Sequence, residues 1–353
     1  CPRMKYALLS DIHSNLHALE ACLAHAHAQG ATRIAILGDL VSYGAFPAEV
    51  VARCQALQQA GAIVLRGNHE ELIQTHSINT PNPNPSLGSQ TAEWTHDQLS
   101  PAQRFWLETL PLTAHEDQMW LVHASADAPE RWRYVEDERM ASLSLDAACA
   151  HPDVRYVFGG HVHHQRLYYR GQRGQLMRFA PVPGVPIPVL PHRHWVATVG
   201  SVGQPRDGDP RAAYALLDLD QHQLTFWRVG YDHLAAAHAV RAAGLDEALA
   251  RRPADPRRST APALPGHGVL AVLQRQRREV ECEGDIAAGR PHRGLQQAGI
   301  ARAEQHRAAA AAAKASQRLR QHVACTPGRG RAAQVFGVAQ AQQAQLGGLL
   351  VEA

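Results

Sequence analysis

The chain has 353 residues, 45% of them hydrophobic, and a formal net charge of +3, which is enough for one large or two ordinary domains with a sizeable core. The charge is unevenly spread: residues 1–250 hold 19 Lys+Arg against 25 Asp+Glu, whereas residues 251–353 hold 16 against 7. An acidic body, followed by a basic end in which Phe336 is the sole aromatic residue beyond Tyr231, argues against nucleic-acid binding, which uses a basic path and rings on which bases stack.

The elements alternate through the first third. Tyr6 to Leu9 reads as a buried strand, and the spacing of Leu16, Leu19 and Leu23 predicts a helix ending near Gly30. Ile34 to Leu37 is a second strand, Pro47 to Ala60 a helix with proline in its first turn, and Ile63 to Leu65 a third strand. This β-α-β-α-β start predicts parallel strands, and in such sheets ligands sit beyond the carboxyl ends of the strands. Thr91 to Leu110 is expected to be helical with a break at Ser100-Pro101, and Trp94, Phe105, Trp106 and Leu107 are read as packing residues. Strands follow at Met119 to Val122 and Val154 to Phe158. The rest turns β-rich, at Arg166 to Arg170, Trp195 to Val199, Tyr214 to Asp218 and Leu224 to Val229, with Pro181 to Pro191 as a surface loop. Two sheets packed face to face with helices outside fit this order.

Residues 1–256 are therefore expected to form one domain. Residues 257–353, rich in Arg, Gln, Ala and Gly with an alanine run from Ala308 to Ala313, have too little large apolar surface to offset the entropy of ordering. They are expected to be a basic low-complexity tail, disordered or loosely helical, or a non-native extension. The six cysteines form no Cys-x-x-Cys pair, so a disulfide framework is not expected. No run of about 18 apolar residues occurs, and the chain enters its first strand without signal-peptide features. A cytoplasmic protein with no membrane partner is the expectation.

Five polar islands follow the predicted strands: Asp11-Ile12-His13, Gly38-Asp39, Gly67-Asn68-His69-Glu70, His123 and Gly160-His161-Val162-His163. Each alone is weak, since Gly-Asp and Gly-Asn pairs also form turns and a lone histidine is more often structural than a ligand. All five, in order and each beyond a strand, supply carboxylates, an amide oxygen and imidazoles enough for two divalent ions. Imidazole-rich donor sets suit Mn, Fe or Zn better than a bare Mg site.

With Ser10-Asp11-Ile12-His13-Ser14-Asn15, Gly38-Asp39-Leu40-Val41-Ser42-Tyr43-Gly44, Arg66-Gly67-Asn68-His69-Glu70, Val122-His123-Ala124-Ser125, Gly160-His161-Val162-His163 and Gly200-Ser201-Val202-Gly203-Gln204-Pro205-Arg206-Asp207, residues 4–250 resemble the calcineurin-like metallophosphoesterase superfamily. Within it they resemble the small bacterial branch related to diadenosine tetraphosphatases and serine/threonine phosphatases. The resemblance implies an α/β fold, the four-layer αββα sandwich of two mixed sheets flanked by helices. It implies two divalent metal ions, Mn in the first place with Fe or Zn as alternatives. Asp11, His13 and His163 would bind one, Asn68, His123 and His161 the other, and Asp39 would bridge them. The implied activity is hydrolysis of a small soluble phosphomonoester or phosphodiester by a metal-bridging hydroxide, with His69 as general acid. Arg66 and Arg206 are candidates for contacting the phosphate.

One departure narrows this. Where the eukaryotic-type phosphatases carry an Asp and an Arg, this chain has Ser42 and Tyr43, which argues against a protein phosphatase. Dinucleoside polyphosphate hydrolysis, protein dephosphorylation and a non-catalytic scaffold remain as alternatives.

Overall fold

The computed structural model describes residues 4–75, 87–171 and 174–251. The expected tail, 257–353, lies outside the described residues. The first third is β1 (Lys5–Leu9), α1 (Leu16–Ala28), β2 (Arg33–Ile36), α2 (Pro47–Gln59), β3 (Ile63–Val64) and α3 (Asn68–Thr75). Then come α4 (Leu87–Gln98), α5 (Pro101–Thr109), β4 (Thr113–Glu116), β5 (Met119–Val122) and α6 (Glu138–Ala148). The remainder is β6 (Tyr156–Gly159), β7 (Gln165–Arg170), β8 (Leu176–Phe179), β9 (Ile187–Pro188), β10 (Trp195–Val199), β11 (Ala212–Asp218), β12 (Gln223–Val229), α7 (His233–Ala242) and α8 (Glu247–Arg251).

The strands form two six-stranded sheets, in the orders β3-β2-β1-β11-β12-β9 and β4-β5-β6-β10-β7-β8. Both are mixed. β1, β2 and β3 are parallel, as the β-α-β start requires, whereas β11 pairs antiparallel with β1. In the second sheet β5, β6 and β10 are parallel and β7 runs against β10.

The period-2 alternation of strands explains the layers. On β1, Tyr6 and Leu8 point between the sheets, into a core with Leu37, Leu121, Phe158, Ala197, Leu217 and Phe226. Ala7 and Leu9 point the other way, into a second core with Leu19 and Cys22 of α1 and Val50 and Cys54 of α2. On the outer face of the second sheet, Val122, Val157 and Val196 meet Ala141, Leu145 and Ala148 of α6. The architecture is thus helix, sheet, sheet, helix. Caps fix where the helices begin: the Asn15 side chain accepts from the Ala18 N–H at the start of α1, and Ser100 and Gln103 form a reciprocal capping box at α5.

Two local readings are corrected. Pro181 to Pro191 is not wholly loop, because Ile187–Pro188 pairs with β12 at the sheet edge, where a missing N–H is tolerated. Phe105 is exposed while Leu107 is buried, since residues two apart lie on nearly opposite sides of a helix. Among the described residues no helix is long and apolar enough to cross a membrane.

Candidate metal centre

The carboxyl ends of β1, β2 and β3 in one sheet and of β5 and β6 in the other lead into the loops that carry the five islands. These loops are stitched together by main chain. The N–H groups of Asp11, His13 and Ser14 donate to the carbonyls of Gly38, Asp39 and Leu40, at 3.1, 3.0 and 2.8 Å. The backbone pays for this approach: Asp11, His13, Asp39, His161 and His163 all have positive φ, between 49° and 66°. A left-handed non-glycine residue costs about 1–2 kcal/mol, and such residues persist where surrounding structure over-determines them. Gly160 is required for a different reason, because a Cβ there would collide with the Ser10 hydroxyl and the Asp11 carboxylate.

Three imidazoles are held in one tautomer. Nδ1 of His13 lies 3.1 Å from the Val41 carbonyl, Nδ1 of His123 lies 2.8 Å from that of Leu37, and Nδ1 of His163 lies 2.6 Å from that of Gln204. A carbonyl only accepts, so each Nδ1 carries a hydrogen, and the inward-turned Nε2 is the atom that bears the lone pair whenever the ring is neutral. The Nε2 atoms of His13 and His163 then face each other at 3.2 Å, an arrangement that two bare lone pairs would oppose. His163 Nε2 is also 3.2 Å from Asp11 Oδ1, and Asp39 Oδ2 is 3.8 Å from His13 Nε2 and 3.3 Å from His123 Nε2. Asn68 Oδ1 is 3.2 Å from His123 Nε2. His161 Nε2 is buried and has no hydrogen-bond partner among the described residues.

Donor atoms within 4.8 Å of one another fall into three groups: Asp11, His13 and His163; Asp39, His123 and His161; and His13, Asp39 and His69. Asp39 belongs to two of these groups, reaching His13 and His69 in one and His123 and His161 in the other. This donor set, with an orphaned imidazole nitrogen and facing lone pairs, fits two divalent cations. The seven residues read as ligands from the sequence are brought to one place, with His69 at their edge.

The electrostatics agree. Asp11 and Asp39 are buried, and their ion-pair partners among the described residues are histidines. Burial works against the Asp39 charge, but the histidines, His123 foremost, hold its carboxyl well below the usual range. Burial likewise opposes a charge on His123, yet Asp39, then Asp11 and Glu70, push it up to about 9. A proton on His123 thereby stands in for part of the positive charge a cation would bring. Burial, followed by the His123 charge, pulls His161 down to about 4, leaving its nitrogen free to ligate.

The two arginines separate. Arg66 turns its Nη1 to the Glu108 carbonyl at 3.3 Å. Arg206 is exposed, donates from Nη2 to Gln204 Oε1 at 3.1 Å, and its charge lowers the pKa of His69. Of the pair, Arg206 is the one near the site.

Sequence reading missed Glu70. Its buried carboxylate accepts from four backbone N–H groups: Oε2 from Gly67 at 2.7 Å and Asp39 at 2.9 Å, and Oε1 from Leu40 at 2.8 Å and Val41 at 3.3 Å. It ties the Asp39 loop to the Asn68 loop. Burial and then the Asp39 charge push its pKa up to about 7, against the pull of those donors. A signal existed: Gly67 and Glu70 have the spacing of a helix N-cap and its third residue, where an acidic side chain reaches back to the cap N–H. The rings around the cluster were also unforeseen. Tyr43 packs against His13 and His69, with ring centroids at 4.8 and 4.7 Å, and Tyr134 stacks on His161.

Similarity to known proteins points the same way. A metallophosphoesterase from Sphaerobacter thermophilus is 33% identical, with a TM-score of 0.62 over 72% of this chain and 99% of that one. An uncharacterized protein of Methanocaldococcus jannaschii is 29% identical over 70% of this chain and 96% of its own length. The hypothetical protein PH1004 of Pyrococcus horikoshii, 17% identical with a TM-score of 0.57, shares the fold over 72% of this chain and 100% of its own. Residues 4–222 match the calcineurin-like phosphoesterase superfamily domain, and with its two sheets and its cluster of buried carboxylates and imidazoles this chain belongs to that superfamily.

Proposed function

We propose that the chain is a metal-dependent phosphoesterase hydrolysing a phosphomonoester or phosphodiester of a small soluble molecule. Asp11, His13 and His163 would hold one divalent ion, Asn68, His123 and His161 the other, and Asp39 would serve both. The observation that carries this is the pair of Nε2 lone pairs on His13 and His163, 3.2 Å apart, with both Nδ1 atoms committed to carbonyls. When bound, two divalent ions supply Lewis-acid charge for the phosphoryl oxygens and lower the pKa of water; Mn is the proposed ion.

The chain's own residues do the rest. The fixed tautomers keep the donors aimed without reorganisation. His69 stands at the edge of the cluster, its backbone N–H held by Asp39 Oδ1 at 2.9 Å, and serves as the acid for the departing oxygen. Arg206 adds positive charge on the approach. The acidic balance of residues 1–250 supports a small substrate over a nucleic-acid backbone.

The test is metal analysis combined with hydrolysis of bis(p-nitrophenyl) phosphate and of a panel of monoesters and dinucleoside polyphosphates with Mn²⁺. Turnover of an ester with about two ions per chain supports the reading; full metal loading with no turnover on any ester would leave a binding role instead. Chelation has its own expected result. An ion present at a hundredfold its Kd stabilises by about 2.7 kcal/mol, and for a domain of this size each kcal/mol moves Tm by about 2–4 °C. Removal of metal should therefore lower Tm by at least about 5 °C in a thermal melt, reversed on adding Mn²⁺.

Residues 1–256 are proposed to carry the whole activity, since every candidate ligand precedes residue 164 and the superfamily match ends at residue 222. Truncation after residue 256 should leave the melting curve and the hydrolysis rate within about twofold of the full chain. Loss of either would put the domain boundary later.

A further inference from the structure

The segment after His123 builds an aromatic platform beside the metal centre that the chemistry above does not use. A short 3-10 turn, Pro129–Arg131, ends at Trp132, whose φ of 50° is left-handed, a costly state for a bulky residue. The segment is braced at several points. The Ser125 hydroxyl and the Arg133 guanidinium both donate to the Asp127 carboxylate. The Trp132 indole N–H donates to Glu71 Oε2 at 3.2 Å, on the helix that carries His69. So fixed, Trp132 stands edge-on to His123 with centroids 5.9 Å apart, and Tyr134 lies on His161 with centroids 4.0 Å apart and planes 23° from parallel.

Tyr134 is nonetheless 48% exposed. One face covers a candidate ligand while the residue remains open to solvent. A rigid, strained, braced loop presenting a bare aromatic ring beside the place where a phosphoryl group would sit is a stacking surface for something planar. The arginines beside it in sequence are paired: Arg133 donates to the Asp127 carboxylate, and Arg131 lies 3.9 Å from the Glu130 carboxylate. The recognition the ring itself offers is by shape and π contact.

We propose that Tyr134, flanked by Trp132, is a specificity-determining residue that stacks a planar aromatic ring carried by the phosphate ester, so that the substrates are nucleotide-type or aryl esters rather than sugar or alkyl phosphates. This rests on the phosphoesterase reading of the same site. The test uses three phosphonates, whose P–C bond is not an ester, so that binding is read apart from turnover: methylphosphonate, phenylphosphonate and an adenine-bearing acyclic nucleoside phosphonate. Each is titrated calorimetrically into the Mn²⁺-loaded full chain, in wild type, Tyr134→Phe and Tyr134→Leu. At least one ring-bearing ligand should bind about tenfold more tightly than methylphosphonate, and whichever ring wins identifies the source. The preference should survive in Tyr134→Phe and shrink to within about twofold in Tyr134→Leu. A mere loss of metal in that variant would weaken all three ligands alike and leave their ratio standing. Equal binding of the three by wild type, or a ratio that Tyr134→Leu does not change, overturns the proposal. Binding of none of them, with no ester turned over, overturns the phosphoesterase reading and this proposal together.

Discussion

Glu70→Ala is expected to destabilise the fold by about 4–6 kcal/mol, measured by urea denaturation at fixed Mn²⁺. The carboxylate satisfies four buried N–H groups, from Gly67, Asp39, Leu40 and Val41, and alanine leaves all of them without an acceptor. Each orphaned buried donor costs about 1–3 kcal/mol, partly recovered by water entering the gap. Glu70→Gln should lose about half as much, because one amide oxygen still accepts from two donors while the amide nitrogen faces the other two. The Asp39 loop would loosen in both variants, so Mn²⁺ affinity should fall in the same order as stability. Equal stability of wild type and Glu70→Ala would mean that the loops are held by their main-chain bonds alone.

His69→Ala is expected to lower kcat by about 10²–10⁴ with the Mn²⁺ content of wild type. The imidazole is buried, its Nδ1 has no hydrogen-bond partner among the described residues, and its centroid is 4.9 Å from that of His13. Burial holds its pKa below the usual value, with the charges of His123, His163 and Arg206 adding to this and Asp39 pulling the other way. A phosphate arriving beside it brings negative charge, which raises a histidine pKa. With His69 as the proposed acid, the proton for the leaving oxygen would be acquired with the substrate. Alanine preserves the helix and the backbone N–H to Asp39, so kinetics and elemental analysis on one preparation separate the roles. If metal is lost in proportion to rate, His69 belongs with the ligands.

The candidate ligands were legible because each stands as a polar break directly after an apolar run, and a strand end in an α/β sheet is where such residues converge. Met119 to Val122 and Trp195 to Val199 match the structure residue for residue. Strands β4 and β8 did not show, since Thr113-Ala114-His115-Glu116 and Leu176-Met177-Arg178-Phe179 lie at sheet edges with half their surface wet and carry little apolar pattern. Glu70 was overlooked because an acidic residue in the first turn of a helix normally faces water. Its burial depends on Asp39, Leu40 and Val41, some 30 residues away. Tyr134 gave no local sign at all. What makes it notable is its stacking on His161, and long-range neighbours of that kind are not encoded in periodicity.

β1 carries Asp11 and His13 at its end, yet its partner on one side is β11, with Tyr6 opposite Leu217. During synthesis the first strand must wait, because more than 200 residues separate it from the strand that closes its sheet, and such distant pairings form slowly. The island at residue 11 therefore emerges from the ribosome long before its frame exists. If two ions bind as proposed, the rate of Mn²⁺ uptake by refolding chains is expected to follow formation of the β1–β11 pair.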